Sequence, residues 1–161
     1  MKKLFFTLLG AVLCLLASAQ TRSYADNASG TFVFGLERYF YGGTGTFEFE
    51  ADGKPFQATV EAGKVSVGGT TLEGGPGEVV VGIHDFSGNR VPDLMVARRD
   101  DSRVSAVIYR LSSGQWIPMG STGPVGGSDI RVFRQVISVR NAETLHSWTW
   151  HNDHFDYKSN R

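Results

Sequence analysis

Four residues with oxygen-bearing side chains occupy regularly spaced positions of one short segment. Asp85, Ser87, Asn89 and Asp93 stand at positions 1, 3, 5 and 9 of it. A hard divalent cation such as calcium takes six to eight oxygen ligands at roughly 2.3–2.6 Å, and alternate positions of a tight loop can converge on one ion. The backbone carbonyl of Val91 would fill a gap among these ligands. The spacing therefore predicts a binding site whose first candidate ligand is a cation.

Two aliphatic runs, Val79 to Ile83 and Leu94 to Ala97, flank this segment and predict two strands joined by a loop. Gly88 suits a turn with positive φ, and Pro92 stiffens the exit. A helix-loop-helix calcium site would need a glutamate at position 12, where this chain has Val96. The loop is therefore expected to connect strands, and it is not an EF-hand.

The segments Asp85-Phe86-Ser87-Gly88-Asn89 and Pro92-Asp93-Leu94 resemble the core of FG-GAP/VCBS-type repeats, Asp-Phe-(Asp/Asn)-Gly-Asp-Gly-x-x-Asp-Leu. The likeness is to a single, degenerate copy spanning residues 79–98. In that family the loop joins two strands of a β-blade and often holds calcium. The resemblance implies that the side chains at the four spaced positions are the metal ligands, with the Val91 carbonyl as a further donor.

Three departures from the family pattern lower the expected affinity. Ser87 and Asn89 stand where carboxylates are common, and Arg90 stands where glycine is usual. Because ligand charge tunes affinity, any calcium site here is expected to be weak. The alternative is a hairpin turn in which Asp85 and Asn89 hydrogen-bond the backbone and Arg90 pairs with Asp85 or Asp93.

The first nineteen residues have the pattern of a secretory signal peptide. Met1-Lys2-Lys3 precedes an apolar stretch from Leu4 to Leu16, and Ala17-Ser18-Ala19 is a small-x-small cleavage site. The stretch is too short for a retained membrane span. The protein is therefore expected to be exported to the periplasm or the cell exterior, with residues 20–30 as a flexible leader to one domain over 31–161.

Composition narrows the possible partners. The one cysteine, Cys14, lies inside the signal, so the exported chain would have no disulfide or thiol chemistry. Of the sixteen basic residues two, Lys2 and Lys3, belong to the signal, which leaves 16 − 2 = 14 basic residues against sixteen acidic ones. A nearly neutral domain argues against nucleic acid. The expected partner is an unidentified protein or glycan.

The body of the chain predicts an all-β fold, either an antiparallel sandwich or a small barrel-like fold. Short alternating runs are broken by glycine every eight to twelve residues, and Asp52-Gly53 is a hairpin signal. The two runs beside the loop, with Val104 to Leu111 and Gln115 to Met119, predict one blade-like four-stranded unit. Propellers have at least four blades, so this unit is expected within a smaller fold. The stretch from Arg131 to Arg140 is predicted as a single strand.

Tryptophan residues suggest a second function. Alternation along a strand places His146, Trp148 and Trp150 on one face. That face is either a core face or, with Trp116 and the aromatics Tyr39 and Tyr41, a platform on which sugar rings stack. The second hypothesis is thus a secreted carbohydrate-binding module.

A third hypothesis is a small secreted metal-dependent hydrolase that uses His146, His151 and His154. Zinc accepts histidine and carboxylate ligands, but the two later histidines straddle a predicted hairpin turn and need not converge. No Gly-x-Ser-x-Gly motif is present. The leading expectation is therefore a non-enzymatic binding module without catalytic residues.

Overall fold

A computed structural model describes residues 30–161, so the predicted signal peptide and all but the last residue of the predicted leader lie outside the described residues. The described residues form fifteen β-strands and no helix, and therefore contain no helix able to span a membrane. The prediction of an all-β fold is confirmed. The strands are β1 Val33–Phe34, β2 Arg38–Tyr41, β3 Thr44–Ala51, β4 Lys54–Glu61, β5 Lys64–Val67, β6 Thr70–Gly74, β7 Glu78–His84, β8 Asp93–Asp100, β9 Arg103–Ser112, β10 Gln115–Ser121, β11 Val125–Gly126, β12 Ile130–Phe133, β13 Val136–Arg140, β14 Leu145–His151 and β15 His154–Asn160.

The strands form three sheets, and each is built around four consecutive antiparallel strands. The first sheet is β3-β4-β5-β6, the central sheet contains β7-β8-β9-β10, and the last sheet contains β12-β13-β14-β15. Strand β2 extends the central sheet beside β7, β11 pairs with β9, and β1 pairs in parallel with β12. None of the sheets closes into a barrel. The predicted four-stranded unit lies within the central sheet as β7-β8-β9-β10, and each of the other two sheets contains a comparable run of four antiparallel strands.

Two separate hydrophobic cores hold the central sheet between the other two. On β7, Val79 and Val81 pack with the first sheet, whereas Val80 packs with the last sheet. Strand β8 divides in the same way, since Leu94 faces the first sheet and Met95 the last. A strand buried on both faces needs apolar residues at every position. This explains why the runs beside the loop are continuous rather than alternating.

Tight turns connect the strands within each sheet. Asp52 and Gly53 have φ values of 50° and 67°, and Ser113 and Gly114 have 50° and 79°. Positive φ at both central residues is typical of the two-residue hairpin turn that matches strand twist. The hairpin predicted at Asp52-Gly53 is confirmed.

The prediction of one strand from Arg131 to Arg140 was wrong. The chain turns at Arg134, whose φ is 52°, and β12 and β13 pair with each other on either side of it. No glycine, proline or asparagine marks this turn in the sequence. Because Val132 pairs with Ile137, both side chains reach the core between the central and last sheets.

Candidate functional site

The candidate site is the loop over residues 85–92, which joins the two most buried strands of the protein. The pair His84 and Asp93 is the last rung of the β7–β8 ladder before the loop. Phe86, with 0% of its surface exposed, inserts into the core between the central and last sheets. The loop is thus fixed at both ends by the ladder and near its start by a buried aromatic ring.

Asp85 organises the outer half of the loop through its carboxylate. Its Oδ1 accepts hydrogen bonds from the amides of Gly88 at 2.7 Å and Asn89 at 3.1 Å, and its Oδ2 accepts one from the amide of Arg90 at 2.8 Å. The hydroxyl of Ser87 also donates to Oδ1 at 3.5 Å. One side chain therefore satisfies three consecutive backbone donors that the turn leaves without a strand partner.

The buried carboxylate of Asp93 fixes the inner half of the loop. The residue is 1% exposed, and its Oδ2 accepts hydrogen bonds from the amides of Phe86 at 3.1 Å and Ser87 at 3.2 Å. Burial raises the pKa of this carboxyl to about 6, against the opposing effect of Arg110. Removing a carboxylate from water disfavours its charged form.

The cation beside Asp93 comes from a distant strand. The Nε of Arg110 on β9 lies 3.8 Å from Oδ1 of Asp93 and its Nη1 lies 3.6 Å from Asp153, while its guanidinium stacks over Trp150 at 5.0 Å. The predicted partner of these carboxylates was Arg90, which forms no ion pair among the described residues. Sequence reasoning missed Arg110 because only the pairing of β8 with β9 brings it near the loop.

The remaining predicted ligands are placed differently. The Oδ1 of Asn89 accepts a hydrogen bond from the amide of Val91 at 2.8 Å. The carboxylates of Asp85 and Asp93 both hydrogen-bond to Ser87, Asp85 to its hydroxyl at 3.5 Å and Asp93 to its amide at 3.2 Å. Within residues 30–161, no group of three or more histidine, cysteine and acidic side chains is arranged to hold a metal. Any ion at this loop would share oxygens that already accept backbone amides.

Three other turns lie beside the loop at the same edge of the sheets. His84 Nε2 is 2.7 Å from the carbonyl of Arg134 in the β12–β13 turn, and Arg110 reaches the β14–β15 turn at Asp153. On the other side, a shallow groove of about 440 Å³ separates the loop at Arg90 from the β3–β4 turn at Asp52. We call this composite surface, drawn from all three sheets, the loop edge.

The tryptophans do not form a common surface. Trp148 and Trp150 are only 5% and 7% exposed, and both lie on the face of the last sheet turned to the core. Trp116 packs in the other core, with ring centroids 5.6 Å from Phe49 and 5.2 Å from Phe56. Core packing, one of the two alternatives at these positions, is what the structure shows for Trp148 and Trp150.

The histidines are also separated. His146 pairs with Val139 on the inward face of the last sheet and hydrogen-bonds to Tyr157 at 2.8 Å. His151 and His154 lie opposite each other on the outward face, where both approach Asp156. The three imidazoles therefore do not meet at one point.

A scan against protein-family models finds no match, and searches of curated proteins and of solved structures return none either. The resemblance to FG-GAP/VCBS-type repeats consequently rests on the loop residues alone.

Proposed function

We propose that this protein is an exported, non-enzymatic β-sheet module that binds through the loop edge, with calcium as a weak ligand of the β7–β8 loop. One observation supports this proposal. The carboxylates of Asp85 and Asp93 both hydrogen-bond to Ser87, Asp85 to its hydroxyl and Asp93 to its amide, in a loop between two strands that are buried on both faces. A rigid scaffold that presents polar groups on a loop is a common design for binding sites.

The weakness of the calcium site follows from charge and competition. Two carboxylates carry the formal charge, one of them buried and in contact with Arg110, and Asp85 already accepts three backbone amides. Binding must displace or share these hydrogen bonds. The expected dissociation constant is therefore on the order of 10⁻³ M, as in weak extracellular calcium modules.

Calcium titration of the thermal unfolding transition tests the metal part of the proposal. With a dissociation constant near 10⁻³ M, about 10 mM calcium would stabilise the folded state by roughly 1.4 kcal/mol, which should raise Tm by a few degrees relative to EDTA. The Asp85→Asn variant should lose this increment. The matched control Asp101→Asn, in the β8–β9 turn, should keep it.

An unchanged Tm in the wild-type protein at 10 mM calcium would contradict calcium binding by the loop. The proposal that the loop edge binds a macromolecule would then be tested separately. An equal response in both variants would place the ion elsewhere on the surface.

The macromolecular ligand is proposed to be a protein or a glycan that contacts the groove between Asp52 and Arg90.

A further inference from the structure

The outward face of the last sheet carries an aromatic and basic patch. Phe34 and Phe133 are 46% and 70% exposed, and Arg131 lies between them with its guanidinium 5.9 Å from the Phe34 ring. Phe34 and Arg131 are paired across β1 and β12, so they share this face. Arg131 also approaches Asp129 at 3.6 Å. We call this surface the basic face.

Charge along the rest of the basic face has the same sign. The register places Arg140 and Lys158 on it with Arg131, and the Arg134 guanidinium lies 5.3 Å from the exposed Phe133 ring. Its acidic side chains are Asp129, beside Arg131, and Asp156. Four basic groups against two acidic groups give a formal charge of 4 − 2 = +2, histidines aside. Aromatic residues and arginine are the residues most enriched in protein interfaces.

The outward face of the first sheet is its opposite in charge. Cross-strand pairing and exposure place Glu48, Glu50 and Glu61 on this face, together with Lys64. One basic group against three acidic groups gives 1 − 3 = −2. None of the four large exposed hydrophobic residues of the described chain lies on this face. We call it the acidic face.

We propose that the basic face binds the acidic face of a second copy of this chain. The two faces lie at opposite ends of the three-layer stack, because the central sheet uses both of its own faces for the two cores. A contact between unlike faces is heterologous and leaves one free face at each end, so it continues into a ring or a chain of copies. Complementary charge provides the orientation, and Phe34 and Phe133 provide the apolar contact.

Sedimentation velocity of the full-length exported protein over 10–500 µM tests this association. At 20 mM salt the mean mass should rise with concentration beyond that of a dimer, and 500 mM salt should weaken the association at least tenfold because exposed charges are then screened. Phe133→Ser should weaken it as well without affecting the fold, since this side chain is 70% exposed.

Two charge reversals identify the faces. Arg131→Glu disables the basic face and Glu48→Arg the acidic face, so each variant should be monomeric in isolation. An equimolar mixture should form dimers and nothing larger, because each variant retains one functional face. Glu143→Arg, in the turn between β13 and β14, is the matched control and should associate like the wild type. Thermal melting checks that all variants are folded.

A wild-type protein that stays monomeric at 500 µM and 20 mM salt overturns the proposal. So does association that Arg131→Glu abolishes and Glu48→Arg leaves unchanged, since that pattern indicates contact between two basic faces. If the wild type stays monomeric yet binds an immobilised polyanion, and Arg131→Glu does not, the occupant of the basic face is a foreign anionic partner, and the self-association proposal is wrong.

Discussion

At the scale of single residues, Arg90 shows how the loop departs from the pattern that it resembles. Its φ is 70°, in the left-handed region that L side chains rarely adopt. Glycine is usual at this position of the repeat, and glycine pays no steric penalty there. Arg90 thus adopts a conformation that glycine would adopt at lower cost.

Replacement of Arg90 by glycine should stabilise the protein. Relief of the left-handed strain outweighs the greater unfolded-state entropy of glycine. We therefore expect a gain of about 0.5–1 kcal/mol in the free energy of unfolding. Urea denaturation measures it. Arg90→Ala, which removes the charge but keeps the strain, should bring no gain. A gain of equal size in both variants would show that charge, and not φ, is responsible.

Asp93 should make stability depend on pH in an unusual direction. Its pKa is raised from 3.8 to about 6 in the folded state, so the folded protein binds the proton more tightly than the unfolded chain does. Its contribution to stability is therefore fully present below about pH 4 and is lost as the pH rises through 6. The difference corresponds to roughly 3 kcal/mol at most.

The Asp93→Asn variant isolates this effect, because the amide cannot ionise and its oxygen can still accept the amides of Phe86 and Ser87. Urea unfolding at pH 4, 5, 6 and 7 should show the variant gaining on the wild type as the pH rises. A difference in free energy that stays constant from pH 4 to pH 7 would mean that this carboxyl does not titrate in the window.

At the scale of elements, β7 is buried on both faces, as β8 is, and consecutive residues on it belong to different cores. Val80 belongs to the core shared with the last sheet and Val81 to the core shared with the first sheet, and both are 0% exposed. In a strand with one buried face, only alternate positions would be sensitive to truncation. The strand therefore links the stabilities of all three sheets.

Truncation of either valine should destabilise the protein to a similar extent. We expect Val80→Ala and Val81→Ala each to lower the free energy of unfolding by about 2 kcal/mol, from lost burial and the cavity that remains. Thr59→Ala on β4, an exposed position of the first sheet, is the control and should change it by less than about 0.5 kcal/mol. A tolerant Val80 with a sensitive Val81 would argue against the two-sided packing.

At the scale of the whole molecule, the sequence predicts one four-stranded unit, whereas the structure contains three runs of four consecutive antiparallel strands. The runs beside the loop are conspicuous because both of their faces are buried. The first sheet instead alternates along β3, with Phe47 and Phe49 inward and Glu48 outward, and such a pattern does not reveal which strands will stack. The turn at Arg134 has no recognisable residue, and Arg110 reaches the loop only through strand pairing. These features depend on contacts distant in the chain.

The three sheets should unfold as one unit, because neither core can form without the central sheet. Ile137 on β13 is 0% exposed in the core below the last sheet, far in sequence from β3 and β4. Ile137→Ala should lower the free energy of hydrogen exchange by about 3 kcal/mol, not only for amides of β13 but equally for those of β3 and β4. Ser138→Ala, on the outward face of the same strand, should leave exchange nearly unchanged. Unchanged protection in β3 and β4 in the Ile137→Ala protein would mean that the first sheet opens independently, as a repeat with its own stability would.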